Sequence, residues 1–184
     1  MYAQYSSTDN TEIVGPTEID NQATDLTTPS VICRDDDGII VAYRDDLTDP
    51  RIKVKALSST FVEEISFYAS TAIPGEDVTN PKLASFNDGS YLLVWNQDSR
   101  AILGVHFDAS HNMIGQEFQI TAAYSDAYTK SEVAIASLED GKVAVAWTAD
   151  YQDGSGYGIF AQLLDEDGNL LGNELWPNSY AGTD

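Results

Sequence analysis

Apolar and polar residues alternate with a period of two along most of this chain, the pattern of half-buried β-strands. Asp-Gly pairs interrupt the alternation at intervals. The clearest stretch runs Val133, Ile135, then Asp140-Gly141, then Val143, Val145 and Trp147. Asp-Gly between two such runs predicts an antiparallel hairpin, because both turn residues tolerate positive φ. A Gly-rich loop, Ala149–Tyr157, leads to a third strand, Gly158–Leu164, and Asp165–Asn169 turns that into a fourth, Leu170–Leu175. No run keeps a 3.6-residue period, so helix is not expected.

The same design occurs three times. Pro29–Tyr43 is built around Asp37-Gly38, Pro81–Trp95 around Asp88-Gly89, and Ser131–Trp147 around Asp140-Gly141. The turn glycines lie 51 and 52 residues apart, and the closing aromatics Tyr43, Trp95 and Trp147 lie 52 apart each time. A fixed period of about 50 residues made of short strands indicates a propeller or a related array. The aromatics are expected to pack between neighbouring sheets. Near the N-terminus, Tyr2-Ala-Gln4 echoes Phe160-Ala-Gln162, and Gly15-Pro-Thr-Glu18 echoes Gly172-Asn-Glu174. Residues 2–19 therefore read as a half unit, followed by units at 29–72, 81–122 and 131–176. The expected fold is all-β, four-stranded antiparallel sheets in a propeller-like repeat of about three and a half units. Unpaired sheet edges invite pairing, which makes Tyr2, Gln4, Ile13 and Val14 the candidate interface with other copies or neighbouring repeats.

Charge narrows the partners. Thirty acidic residues against nine basic ones give a formal charge of −21. Such a surface repels nucleic-acid phosphates, whose binding rests on Lys and Arg contacts, and membrane insertion is not expected because no apolar run approaches the roughly 20 residues of a spanning helix. The single cysteine, Cys33, cannot form a disulfide within the chain and reads as a small buried strand residue.

Catalytic signals are weak. His106 and His111 have no nucleophile or metal-ligand partner at a recognisable spacing, and no phosphate loop or nucleophile elbow is present. Thirty acids guarantee carboxylate pairs by chance, so none stands out as a glycosidase pair. No enzyme is expected. Calcium is the best cofactor candidate: Asp165, Asp167 and Asn169 offer oxygens at alternating positions beside Gly168. Tyr151, Asp153 and Tyr157, in the loop after the second strand, could stack on a sugar and accept its hydroxyls, making a glycan the candidate ligand.

The consensus P-x-V-x-x-x-x-D-G-x-x-V-x-W, then G-I-x-A-Q-x-x-D-x-D-G-N-x-x-G-x-E, resembles propeller-like repeats of large bacterial surface and adhesin-type proteins. The third unit carries it best, from Asp140 and Trp147 to Gln162, Asp165, Gly172 and Glu174; the first lacks the D-x-D-G turn. A weaker resemblance is to sialidase-type propellers, in Thr28-Pro-Ser-Val-Ile32 and Tyr43-Arg44. The first resemblance implies a non-catalytic extracellular module that is structural or adhesive and associates through open edges. The second implies the alternative, a glycan-binding or glycosidase-derived propeller using its loop face.

Overall fold

The structure, a computed structural model, describes residues 2–6, 12–21, 25–46, 48–122, 127–138, 140–154, 156–165 and 167–176. The run 123–126 in the last crossover, and positions 47, 155 and 166 in three of the expected loops, lie outside them. Fourteen strands occur among the described residues and no α-helix.

Strands β1 (Tyr2–Ser6) and β2 (Glu12–Glu18) pair with each other as a two-stranded antiparallel sheet. The first four-stranded sheet is β3 (Leu26–Cys33), β4 (Ile39–Asp45), β5 (Arg51–Leu57) and β6 (Glu63–Tyr68). The second is β7 (Val78–Ser85), β8 (Tyr91–Gln97), β9 (Ala101–Phe107) and β10 (Met113–Gln119). The third is β11 (Lys130–Ser137), β12 (Val143–Asp150), β13 (Tyr157–Leu164) and β14 (Leu170–Leu175). Each sheet is an antiparallel meander in chain order. The first strand β7 meets both β3 and β11, as neighbouring inner strands of propeller blades do.

A meander has two ends. The connections between its first and second strands and between its third and fourth share one, the turn end. The connection between the second and third strands, together with the crossovers between sheets, forms the other, the loop end. All six turns at the turn end close the same way. Arg34, Phe86 and Leu138 donate their N–H to the carbonyls of Gly38, Ser90 and Lys142, and Ser58, Asp108 and Asp165 donate to those of Val62, Asn112 and Asn169. The fourth residue has positive φ in every case: Asp37, Gly89, Gly141, Phe61, His111 and Gly168. This is a tight turn followed by one left-handed residue, not the two-residue mirror-image turn that Asp-Gly suggests. In the first hairpin the left-handed residue is Asp37 rather than Gly38, so the structural spacing is 52 throughout. The first sheet lacks Asp at its outer turn, yet the Ser58 hydroxyl accepts the Val62 N–H at 3.2 Å, as the Asp108 and Asp165 carboxylates accept those of Asn112 and Asn169.

Packing follows the aromatic period. Tyr43, Trp95 and Trp147 are all buried, each in a different apolar cluster. Trp95 lies with Ile52, Val54, Leu93 and Phe107 between the first and second sheets; Trp147 lies with Leu92, Val94, Ile120 and Phe160 between the second and third. Burying an aromatic of this size contributes roughly 1.5–3 kcal/mol. The Tyr43 cluster, with Ile19, Val41 and Leu57, has a polar heart. The buried Asp20 carboxylate accepts the Tyr43 hydroxyl and pairs with Lys53 at 2.8 Å and Lys55 at 3.3 Å. Burial, then the Asp20 contact, pushes the Tyr43 hydroxyl well above the ordinary phenol range. Cys33 departs from expectation. It ends β3 but is exposed, because it sits on the outward register of an alternating strand.

Candidate functional site at the loop end

Each inner strand carries a bulge near its start, and the bulges are equivalent. Pairing with the next strand slips between Thr27 and Ser30, between Thr79 and Lys82, and between Ser131 and Ala134. Inside the three slips sit Thr28, Asn80 and Glu132, at φ of 51°, 53° and 50°. They lie 52 residues apart. A non-glycine side chain in the left-handed region costs of order 1 kcal/mol or more, and such residues gather where a protein needs a side chain re-aimed. Thr28 and Asn80 each precede a proline, which disfavours compact backbone conformations at the preceding residue. Three inner strands thus hold the same strained geometry at one end of the molecule.

Polar groups cluster around these bulges. Arg44, Asn96 and Thr148 stand opposite Thr27, Thr79 and Ser131 across the first strand pair of each sheet. The Arg44 guanidinium pairs with Asp46 at 2.9 Å and with Asp77 at 3.0 Å, bridging the first sheet to the start of the second. Asn96 is buried and donates through Nδ2 to the Lys130 carbonyl at 2.7 Å, bridging the second sheet to the third. Buried Lys130 directs its ammonium to the carbonyls of Arg100 and Tyr128. The main chain repeats the theme: Asp46, Asp98 and Asp150 donate their N–H to the carbonyls of Asp25, Asp77 and Thr129, again at a spacing of 52.

Most buried polar groups in proteins have a partner. Thr28 Oγ1, Arg44 Nε, Asn96 Oδ1 and Gln152 Oε1 are buried without a hydrogen bond, and all four belong to the loop end. The strained bulges and these unsatisfied atoms coincide. Chemically the set offers a guanidinium, amide and hydroxyl groups, and one exposed carboxylate, Glu132, suited to a hydroxyl-rich ligand.

Of the expected ligand residues, Tyr151 is exposed in the β12–β13 loop, Tyr157 is exposed at the start of β13, and Asp153 is half-buried, its Oδ2 beside Gly158. All three lie at the loop end, after the second strand of the third sheet. For the calcium candidates, the Asp165 carboxylate accepts N–H groups from Asp167 at 3.1 Å and Asn169 at 2.8 Å, and the Asn169 amide at 3.0 Å. These bonds hold its carboxyl below the usual range, the Asn169 side chain contributing most. Among the described residues, no group of three or more His, Cys, Asp or Glu side chains is placed to hold a metal ion. Tyr2 and Gln4 lie on β1, and Ile13 and Val14 on β2, where the two strands pair with each other. The bulge residues escaped the sequence reading. Their one visible signal was the repeated spacing of Thr28-Pro29 and Asn80-Pro81.

No protein-family model matches the chain, and no curated protein matches it. Solved structures do. A Hadza microbial sialidase, Hz136, superposes with a TM-score of 0.62 at 11% identity, over 79% of this chain and 36% of its own. An endo-arabinase from Bacteroides thetaiotaomicron gives 0.61 at 13% identity, over 95% of this chain and 69% of its own. A thermostable family-43 glycoside hydrolase gives 0.54 at 15% identity, over 87% and 55%. Synechocystis apocarotenoid oxygenase also superposes, at 0.51 and 7% identity, over 94% of this chain and 44% of its own. The chain thus spans between about a third and about two thirds of the length of these neighbours. At such identities the likeness establishes the propeller fold. It also corrects one expectation. The neighbours are catalytic proteins, mostly glycoside hydrolases, so the reading of a structural or adhesive module assembling through open sheet edges gives way to the sugar-directed alternative. The resemblance to surface-protein repeats extends no further than the propeller fold.

Proposed function

We propose that this chain is a carbohydrate-recognising propeller segment, derived from the glycosidase type, that binds saccharide at its loop end outside the cell. The observation that carries the reading is the triple bulge: Thr28, Asn80 and Glu132 in equivalent left-handed positions on the inner strands. Around it stand buried polar atoms left without partners in Thr28, Arg44 and Asn96. Sugar hydroxyls both donate and accept, which suits such a mixed set. Loops and strand ends on a rigid scaffold are also where ligand-binding residues concentrate.

Binding without hydrolysis is the form the residues favour. Glycoside cleavage requires two carboxylates flanking the scissile bond. Only one of the three bulge positions carries one, and the nearby Asp46 and Asp77 are tied to Arg44. An array of arabinan- and sialic-acid-containing oligosaccharides, followed by calorimetric titration, tests this. The expected result is saturable binding by at least one class, weakened at least tenfold by Glu132→Gln, a loss of about 1.4 kcal/mol. Product release from a bound oligosaccharide would overturn the non-hydrolytic part. Binding unaffected by Glu132→Gln and Asn80→Ala would overturn the placement.

A further inference from the structure

At the opposite, turn end, a cleft of about 540 Å³ lies between the second and third sheets. His106 of β9 is in its wall, 6% exposed, and both imidazole nitrogens are buried without a hydrogen-bond partner. The Phe86 ring, 5.2 Å away and tilted by 56°, braces the imidazole. Three carboxylates from three different turns line the same cleft: Asp88, Asp167 and Asp140, the last also paired with Lys142. Burial is the main influence on His106 and pushes it below the ordinary histidine range, so the ring is neutral at pH 7 and offers one donor and one acceptor. Asp88 is held below the usual carboxylate range by the Ser90 hydroxyl and N–H, at 2.6 and 3.0 Å, and is ionised.

A buried imidazole with neither nitrogen satisfied, facing negative charge, calls for a ligand that donates hydrogen bonds and carries positive charge. A bare metal ion fits poorly, since among the described residues no three candidate donors stand together closely enough to hold one. A larger cation can span the acceptors. We infer that this cleft binds a protonated amino sugar: the ammonium group lies among Asp88, Asp140 and Asp167, a hydroxyl pairs with His106, and the apolar ring face rests on Phe86 and Ile114. The site lies at the other end of the sheets from the proposed saccharide surface and stands or falls independently of it.

Titration calorimetry of the full chain with glucosamine and with N-acetylglucosamine separates charge from sugar shape. Glucosamine is expected to saturate one site, with the acetylated sugar at least tenfold weaker. Exposed Asp167→Asn should weaken glucosamine at least fivefold without disturbing the fold, and His106→Gln should do the same. Asp35→Asn, an exposed carboxylate in the first sheet's turn, should leave it unchanged. Equal binding of the two sugars, undiminished binding in both cleft variants, or zinc binding that requires His106 with no response to glucosamine would overturn the inference.

Discussion

The two ends of these sheets use polar residues differently. At the turn end the outer-turn carboxylates serve their own turns, and one hydroxyl, that of Ser137, reaches the neighbouring sheet, donating to the Ser85 carbonyl at 2.6 Å. Asp108 accepts the Ser110 and Asn112 N–H groups, and Asp165 those of Asp167 and Asn169, so each loop closes on itself. At the loop end polar groups reach from one sheet to the next: Arg44 to Asp77, Asn96 to the Lys130 carbonyl, and Lys130 to the Arg100 carbonyl. A self-contained turn can vary without moving its neighbours. Groups that bridge sheets fix the spacing of the inner strands, and with it the geometry of Thr28, Asn80 and Glu132. The lesson is that damage at the turn end should stay local, whereas damage at the loop end should reach both stability and ligand affinity. His106 and its cleft, between the second and third sheets, are a further exception at the turn end.

The contrast breaks most visibly at Lys130. Replacing this buried ammonium by Met strands the carbonyls of Arg100 and Tyr128, and hydrogen bonds to charged groups contribute roughly 1.5–3 kcal/mol each. A Tm lower by roughly 6–12 °C is expected for a chain of this size, and calorimetric melting checks it. A smaller effect should follow Glu174→Ala. Its carboxylate takes the Ala122 N–H of the preceding crossover and the Gln152 amide at 2.8 Å, so about 1–2 kcal/mol should be lost, as read from urea midpoints.

Acidification should weaken the fold by less. Burial holds both His106 and His111 below 6.5. Asp88, Asp140 and Asp167 face His106; Arg34, Asp36, Glu64 and Asp108 act on His111. Each depressed imidazole binds fewer protons folded than unfolded, so stability rises with pH through this window and falls as pH drops from 7 to 5. A His106→Phe chain should show a shallower fall in Tm over that interval. An unchanged slope would remove His106 from the account.

The smallest change should come from Asp165→Ala, a self-contained turn: no more than about 2 °C in Tm, with saccharide affinity intact. Melting the parent chain with calcium and with chelator sharpens the same point. Equal midpoints would assign Asp165 to its turn alone; a calcium-dependent rise would return Asp167 and Asn169 to the discussion as ligands.

The repeat was legible because it is written in strong local chemistry. Alternation and Asp-Gly turns act within a single hairpin, the 52-residue aromatic period repeats that hairpin, and together they delivered the sheets and the buried Tyr43, Trp95 and Trp147. Features set by tertiary context were not legible. Cys33 is apolar in character but falls on the outward register of β3, which only pairing with β4 decides. Ser58 performs the work of an Asp without the D-x-D-G letters. The bulges at Thr28 and Asn80 run against the preference imposed by the following proline, so a local reading would have called these positions extended. His106 looked inert because its acidic neighbours come from turns 18, 34 and 61 residues away in sequence.

The most direct test of the loop-end account is the backbone amide spectrum of the chain, recorded during titration with the best oligosaccharide from the array. The account predicts that Thr28, Asn80, Arg44, Asn96 and Glu132 shift together and saturate, while Asp108 and Asp165 at the turn end stay still. Shifts concentrated at the turn end, or absent from the three bulge residues at saturation, would contradict it.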